Sequence, residues 1–378
     1  MSTPRVPTVR TGRTVASLIP PLALAIACAL AGSALAQTPP ATGQAAVDNR
    51  SVDQLVDAAR QAARTDRNRE SADLFALAIA RAPQRRRELL REYADQLTYS
   101  DRSAAAVPLY RELLTPEPPP DERLRTLNGL GLALLWSDRP SQARRVYEEI
   151  VREQPDNRDA ARNLGRAITW SGRQREAVRY LEALLQAHPD DDEARVMLAQ
   201  ARAWMGRNDL ARRELGGKAA ERDDARRLRD DLNWATDPRT RLELQYSTQS
   251  DNLDITGSRF KQEFSFNEGL GTGELRIEHI DFRLQNGSDD AIVDRAFLHG
   301  RYRLGDDFEV NAEAAPERVR PRGSPVDEHL VYSAWLTWWP GDVLRFDLST
   351  NQASFDNLKS LRLGLLARQY ALSTDVTP

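Results

Sequence analysis

A sequence repeat with a period near 34 residues constrains the first half of this chain more than any other feature. Pro83, Pro118, Pro155 and Pro189 each follow an apolar segment with helical spacing, at intervals of 35, 37 and 34 residues. Proline ends a helix because it lacks a backbone N–H and clashes with the preceding turn. The repeat therefore predicts pairs of helices that stack into a solenoid, in which each unit contacts only its neighbours.

The aligned copies agree in small residues at two positions and in large apolar residues at the others. Gly131 and Gly165 hold the first small position, where two helices cross closely, and Ala143 and Ala177 hold the second. This pattern resembles the tetratricopeptide repeat, and the resemblance covers about residues 50–215. It implies a right-handed solenoid with a concave groove, which binds or spaces partners and has no chemistry of its own.

An aromatic residue recurs between the two helices of successive repeats. The positions are Tyr99, Trp136, Trp170 and Trp204, each followed within three residues by a turn residue and an arginine. One interpretation is a ladder of rings for sugar stacking, because Trp presents a flat apolar surface with a polar edge. The alternative is packing between neighbouring repeats, which requires no ligand, and we favour it.

The first 36 residues have the layout of a secretory signal peptide, and residues 37–49 read as a linker. Three arginines precede an apolar core over residues 18–30, and a small-x-small motif predicts cleavage after Ala36. An uncleaved anchor and a lipoprotein acylated at Cys28 are the alternatives. Cleavage removes Cys28, the only cysteine, and would exclude disulfides and thiolate metal sites from the mature chain.

Residues 216–239 predict a charged helix that caps the repeats, and after Pro238 the apolar period changes from helical to two. Residues 240–378 contain eight candidate strands, joined by short turns at 305–307 and 340–342 and by longer polar loops at 286–290 and 316–328. A phase change beside His279 predicts a β-bulge, and the last strand is predicted to begin at Leu361. Together these features predict an α + β multidomain chain, a repeat solenoid followed by an antiparallel outer-membrane β-barrel; a soluble β-sandwich is the alternative.

The two-residue alternation assigns polar side chains to a lumen and aromatic side chains to a membrane surface. The lumen-facing candidates are Glu243, Gln245, Glu274, Glu278, Glu309, Asn311, Glu313, Asp347 and Asn351. Tyr332, Trp335, Trp338 and Trp339 crowd one strand and its turn, and we interpret them as part of an aromatic girdle at the membrane interface.

No residue pattern singles out catalysis. The four histidines, His188, His279, His299 and His329, are scattered, and none pairs with an acidic residue at a metal-ligand spacing. We therefore expect no enzyme activity, no cofactor and no metal site. The net charge of −3 also argues against a nucleic-acid partner, because phosphate neutralisation needs a basic face.

A signal peptide, tetratricopeptide repeats and β strands in this order resemble the outer-membrane porins that export exopolysaccharides of biofilms. The poly-β-1,6-N-acetylglucosamine export porin and the outer-membrane subunit of cellulose synthesis share the layout. The resemblance implies an outer-membrane location, periplasmic repeats that bind polysaccharide or periplasmic proteins, and strands that contact lipid and enclose a conduit. An eight-stranded barrel is filled by side chains, so this interpretation makes residues 240–378 part of a larger barrel, or a truncated one.

Two other functions fit the same sequence. The first is a periplasmic scaffold that binds partners through its repeats without transport and uses its strands only as an anchor. The second is a surface receptor of the phage-adsorption type, in which the loop at 316–328 would contact the phage.

Overall fold

A computed structural model describes residues 49–249, 252–287, 289–354 and 358–376. The predicted signal peptide, its cleavage site and nearly all of the predicted linker lie outside these ranges. Contacts divide the chain into two compact units, residues 1–138 and 139–378, which are described separately.

The described part of the first unit is helical. Its helices are α1 (Val52–Arg64), α2 (Asn68–Arg81), α3 (Arg86–Tyr99), α4 (Ser103–Leu113) and α5 (Pro120–Trp136). Helix α1 begins with a capping box, in which the Ser51 hydroxyl accepts from the Gln54 N–H and the Gln54 side chain accepts from the Ser51 N–H. Leu55, Phe75 and Leu89 are fully buried in one core, so the apolar period of the sequence marks the packed face.

The second unit begins with six further helices. They are α6 (Pro140–Glu153), α7 (Arg158–Trp170), α8 (Gln174–Ala187), α9 (Asp192–Trp204), α10 (Asn208–Glu214) and α11 (Asp223–Thr236). Helix α11 occupies the segment interpreted as a capping helix. Its Leu228 and Leu232 are buried in a core with Ala211 and Leu215. Within the described ranges, no helix combines the length and apolarity needed to cross a membrane.

Gly165 shows why the repeat requires a small residue at the helix crossing. A Cβ atom added to Gly165 in α7 would lie 2.6 Å from Cδ2 of Leu181 in α8. Leu181 is fully buried, so its side chain cannot move aside into solvent to make room for a methyl group at position 165. Glycine at this position therefore sets the distance between the two helices of the repeat.

The remaining residues form one antiparallel sheet of eight strands, as the sequence predicts. The strands are β1 (Arg239–Thr248), β2 (Leu253–Phe266), β3 (Gly271–Leu284), β4 (Asp290–Leu304), β5 (Phe308–Pro321), β6 (Asp327–Trp338), β7 (Leu344–Ser354) and β8 (Leu366–Val376). Each strand pairs with the next in sequence order, and among the described residues β1 does not pair with β8. The sheet is therefore open, and the prediction of a closed barrel is not confirmed within this chain.

Three local predictions within the sheet are wrong. Strands β2 and β3 keep one register through the pair Ser258 and His279, so there is no bulge at His279. Strand β5 extends to Pro321, which shortens the predicted polar loop to residues 322–326. Leu361 belongs to a short helix, α12 (Leu358–Arg362), and β8 begins five residues later.

The unbroken register separates the side chains of the sheet into two faces. One, the apolar face, includes Leu244 at 80% exposure and Leu298 at 63%. The other, the charged face, includes Glu278 at 5% exposure and Glu317 at 1%. The more exposed face is thus the more apolar one, which is the reverse of a sheet that covers a soluble core.

The phase change that suggested a bulge has a different cause. Near the loop end of β3, the charged face itself becomes apolar: Phe282 is buried there with Leu253, Val293 and Val319. Leu361 of α12 packs into this cluster and covers it. The apolar residues change face because a helix covers the sheet locally, and the strands continue without an inserted residue.

We predict strong energetic coupling between Gly165 and Leu181. Gly165→Ala adds a methyl group into the Leu181 side chain, and Leu181→Ala alone leaves a cavity that costs about 2–5 kcal/mol. In the double variant the new methyl group occupies vacated space, so the loss should be smaller than the sum by about 0.5–3 kcal/mol. Urea denaturation of the four proteins measures this difference, and additive losses would contradict the contact.

Candidate functional site

A row of alternating charges crosses the charged face of the sheet. In register it contains Glu243, Arg259, Glu278, Arg295, Glu317 and His329. Arg259 lies 3.2 Å from Glu243 and 2.5 Å from Glu278, while Arg295 pairs with Glu317. The Nε2 atom of His329 lies 2.9 Å from the second oxygen of Glu317. The buried carboxylates are therefore neutralised by neighbours on adjacent strands, as buried charges require.

All nine residues predicted to face a lumen lie on this charged face. The register places every one of them on the side of the sheet that carries Glu278 and Glu317. Most of the acids are paired: Glu274 lies 3.0 Å from Lys261, and Glu313 lies 3.4 Å from Arg276. The surface is a mixed network, so it lacks the strongly acidic field that the acids alone would produce.

The four aromatic residues assigned to a membrane girdle do not lie together. Trp338 is on the apolar face, between Phe308 and Phe346, with ring centroids 6.2 and 5.3 Å away. Tyr332 shares that face but lies six residues farther along β6. Trp335 lies on the charged face and stacks on His299, so the prediction for Trp335 is wrong. Its odd number places it opposite the even-numbered Tyr332 and Trp338.

An aromatic row nevertheless runs along the turn end of the apolar face. Phe266 stacks on Tyr302 at 6.1 Å, and Phe308, Trp338 and Phe346 continue the row across β5 to β7. These rings come from five different strands. The sequence suggested a single aromatic cluster in β6 instead, because residues that are neighbours in this row are far apart in the chain.

The recurring aromatic residues of the repeats end the first helix of each helix pair. Tyr99, Trp136, Trp170 and Trp204 are the last residues of α3, α5, α7 and α9. The Tyr99 and Trp136 rings meet edge to face at 5.2 Å. This contact joins neighbouring repeats of the first unit, so at these two positions packing accounts for the aromatic residue without a ligand.

Arg175 of α8 joins the repeats of the second unit to the turns of the sheet. Its guanidinium group donates to the carbonyl oxygens of Gly341 at 2.6 Å, Asp306 at 2.5 Å and Trp339 at 3.1 Å. These carbonyls belong to two different turns, β4–β5 and β6–β7. One planar, five-donor side chain therefore fixes two turns against one helix, which the single ammonium group of lysine would not reproduce.

Asp342 completes this contact by capping α8. Its two carboxylate oxygens accept from the backbone N–H groups of Arg175 at 2.9 Å and Glu176 at 3.1 Å. The residue that precedes α8, Arg173, makes no side-chain cap. The sheet turn thus supplies the hydrogen-bond acceptor and the negative charge that a helix N-terminus favours.

The next repeat also contacts the turns of the sheet. Arg207 precedes α10, forms two hydrogen bonds of 3.0 Å with Asp209 and also pairs with Asp306 in the β4–β5 turn. Arg303 lies beside Gly206, with its guanidinium group 4.2 Å from the centroid of the Trp339 ring. Trp339, assigned to the membrane surface from the sequence, therefore lies in the contact between turn and repeat.

These contacts were missed because the sequence assigned each partner a simpler role. Asp306 and Asp342 fall in the predicted turns at 305–307 and 340–342, where Asp is common. Arg207 belongs to the loop motif that follows each repeat aromatic, whereas Arg175 lies two residues beyond the corresponding Arg173. The sequence therefore offered only arginines near the start of the second repeat helix and an aspartate in each of two sheet turns. Among the described residues, no group of three His, Asp or Glu side chains is arranged to hold a metal.

We predict that removing the Asp342 cap destabilises the second unit. Asp342→Ala removes two hydrogen bonds to the α8 N-terminus and should lower the free energy of unfolding by about 0.5–2 kcal/mol. Arg179→Ala, at an exposed position of the same helix, should change it by less than about 0.5 kcal/mol. Urea denaturation of the full chain compares them, and equal losses would refute the capping role.

We also predict an acid-sensitive contribution from Asp209. Burial raises the pKa of Asp209, but the Arg207 hydrogen bonds and charge outweigh it and hold the pKa below its ordinary value. A lowered pKa stabilises the fold above the ordinary value of about 3.9 and ceases to do so as the pH falls through the folded-state pKa. Asp209→Asn should therefore be less stable than wild type at pH 7, and the difference should shrink below about pH 4.

The matched control for this titration is Asp230→Asn, at an exposed position of α11. Denaturation midpoints at several pH values give the comparison. A stability difference for Asp209→Asn that is the same at pH 7 and pH 2.5 would exclude the ion pair as its cause.

Comparison with known proteins supports the repeat assignment. A tetratricopeptide repeat family model matches residues 171–230, which include the loops around Arg173 and Arg207. A search of curated proteins finds no match. Similar solved structures include a tetratricopeptide repeat protein from Parabacteroides merdae, at 17% identity over 50% of this chain and 73% of that one, with a TM-score of 0.43. Another, from Thermus thermophilus, has 20% identity over 48% of this chain and 99% of that one, with a TM-score of 0.37. Residues 171–230 therefore match the tetratricopeptide repeat in sequence, in agreement with the repeat pattern of this region.

Proposed function

We propose that this protein is a non-enzymatic outer-membrane component for the export of an extracellular polysaccharide. In this proposal the sheet is part of the wall of a conduit, and the repeats bind partner proteins or polymer in the periplasm. The observation that carries the proposal is the inverted polarity of the sheet. Its apolar side chains are exposed, whereas its charged side chains are paired and partly buried.

The apolar face fits lipid better than it fits water. It extends over all eight strands and includes Leu242, Leu244, Phe260, Ile277, Leu298, Val310, Leu336, Leu348 and Leu372, all exposed. Soluble monomers rarely expose contiguous apolar patches of more than a few hundred Å². We therefore propose that lipid acyl chains cover this face, because the apolar patch has the boundaries of a membrane-spanning band.

Those boundaries lie at both ends of the strands. At the turn end stands the aromatic row from Phe266 to Phe346, the arrangement found where barrels meet the membrane interface. At the loop end the apolar face becomes polar, with His279 bound to Asp294 and Asp294 to Arg320. The strands are 10 to 15 residues long, enough for the ~9–11 residues of a tilted membrane-spanning strand.

The charged face fits a water-filled passage for a hydroxyl-rich polymer. A polysaccharide cannot cross lipid unaided, because its hydroxyl groups would lose their hydrogen bonds. A conduit also requires that the edges of β1 and β8 be paired, since an open edge exposes unpaired backbone groups. Further strands, such as those of a second copy, would provide that pairing and widen the passage.

The repeats provide the interaction part of the proposal. Tetratricopeptide repeats bind peptides or proteins, and one similar structure is described as a repeat protein with an unusual peptide-binding site. Arg175 and Arg207 attach the repeats of the second unit to the same end of the sheet as the aromatic row. A partner bound to these repeats would therefore be held next to the turn end of the sheet.

We predict that adjacent positions on β1 will differ in reactivity towards a charged thiol reagent. Leu244→Cys and Gln245→Cys, in a Cys28→Ser background, place one thiol on each face of the sheet at exposed positions. In outer-membrane vesicles a thiol at 244 should react at least about tenfold more slowly, since apolar surroundings disfavour the thiolate. Extraction into detergent should partly expose the thiol at position 244, so the difference in labelling rate between positions 244 and 245 should decrease.

Equal rates at positions 244 and 245 in vesicles, or recovery of the protein in a soluble fraction, would overturn the membrane location. Polymer export is tested separately by deleting the gene and measuring surface polysaccharide. Loss of polymer supports export. Unchanged polymer, with the labelling difference retained, would instead favour a scaffold anchored by its sheet.

A further inference from the structure

We propose that the charged face holds a binding subsite for an uncharged hexose unit, with Trp335 as its stacking surface. The inference deepens the proposed role in polysaccharide export and rests on it. It identifies where along the sheet a sugar unit would be held and which chemical class of sugar fits.

The subsite is an open cleft over β6, β7 and β8. Its volume is about 340 Å³, at the lower end of the ~300–1,000 Å³ typical of small-molecule sites. The side chains that define it are those of Ser333, Trp335, Asp347, Ser349, Asn351 and Gln369. One large aromatic ring among short hydroxyl and amide groups is suited to a sugar, which has an apolar C–H face and a polar rim.

Trp335 is held in place on this face by His299. The two rings are nearly parallel, 15° apart, with centroids 5.8 Å from each other. Trp335 remains partly exposed and borders the cleft towards β7 and β8. Nε2 of His299 is buried without a hydrogen-bond partner among the described residues, so the contact with His299 is one of ring stacking.

The hydrogen-bonding groups of the cleft form a row across three strands. Ser333 is in register with Asn351, and Asn351 is in register with Gln369. Amide side chains both donate and accept, which matches the hydroxyl groups of a sugar. Because this row carries no charge, it imposes no desolvation of an ionised group when a neutral ligand binds.

The charged residues of the cleft neutralise each other and favour a neutral ligand. Nε of Arg345 lies 2.9 Å from Asp347, and the Thr337 hydroxyl donates to the same carboxylate at 2.5 Å. Neither an acidic nor a cationic sugar would find an unpaired counter-charge in this pair. We therefore infer a neutral or N-acetylated hexose unit as the ligand.

The test uses the full chain in detergent and isothermal titration with three hexamers: cellohexaose, chitohexaose and hexagalacturonate. The chitohexaose is the fully N-acetylated form, so it and cellohexaose are uncharged. We expect these two neutral hexamers to bind and hexagalacturonate to bind at least about tenfold more weakly. Trp335→Ala should weaken binding of the neutral hexamers about tenfold, a factor that corresponds to about 1.4 kcal/mol. Trp338→Ala is the matched control, because it removes the same ring from the opposite face of the same strand.

Further variants keep the test decisive if Trp335→Ala fails to fold. Trp335→Phe retains a stacking ring and should bind within about threefold of wild type, whereas Asn351→Ala should weaken binding without removing the ring. Equal losses for Trp335→Ala and Trp338→Ala, stronger binding of hexagalacturonate, or no binding of either neutral hexamer would overturn the subsite.

The subsite and the proposed function fail in different ways. If no hexamer binds but positions 244 and 245 still differ in labelling, the subsite is wrong and the membrane wall stands. If the labelling difference is absent but binding depends on Trp335, the cleft is a sugar site on a sheet that is not a membrane wall.

Discussion

The strict two-residue alternation of the sheet, uninterrupted over eight strands, is the constraint on which the rest of the second unit depends. Each strand pairs with the next in a single register, so the face of a side chain is set by its position in that register. A single inserted residue would move every later side chain of its strand to the other face. The charge row from Glu243 to His329 exists only because no such insertion occurs.

The turns that keep this register also provide the attachment of the repeats. Three short connections, at residues 267–270, 305–307 and 339–343, lie at one end of the sheet. Arg175 binds carbonyl oxygens from the turns at 305–307 and 339–343. In the turn at 267–270, Gly269 lies so close to Asn208 and Thr236 that an added Cβ would clash. Tight turns expose carbonyl oxygens in fixed directions, and the arginines of the repeats are long enough to reach them. Hydrogen bonds to the turns thus attach these helices to the sheet.

Much of this arrangement could be predicted from the sequence, because the sequence has two periodicities: a 34-residue repeat in the helical part and a two-residue alternation in the strands. The 34-residue repeat identified Gly165 as the site of close helix crossing, and the alternation placed all nine polar residues on one face. The exceptions have specific causes. Trp335 was grouped with Trp338 by sequence distance, although alternation places them on opposite faces. The phase change near His279 reflects Leu361 of a distant helix, which no local pattern could reveal. The Arg175–Asp342 contact joins residues 167 positions apart and has no local signal.

The energetics of the two faces explain why the environment matters to this sheet. On the charged face, removing Arg295 would leave the buried Glu317 carboxylate with His329 as its remaining charged partner. Breaking a buried ion pair in this way costs up to about 3–5 kcal/mol. On the apolar face, each leucine exposed to water forgoes about 1.5–3 kcal/mol of burial free energy. Ion pairs and backbone hydrogen bonds therefore determine how the strands are arranged, whereas the apolar face gains its stabilisation only when it is covered.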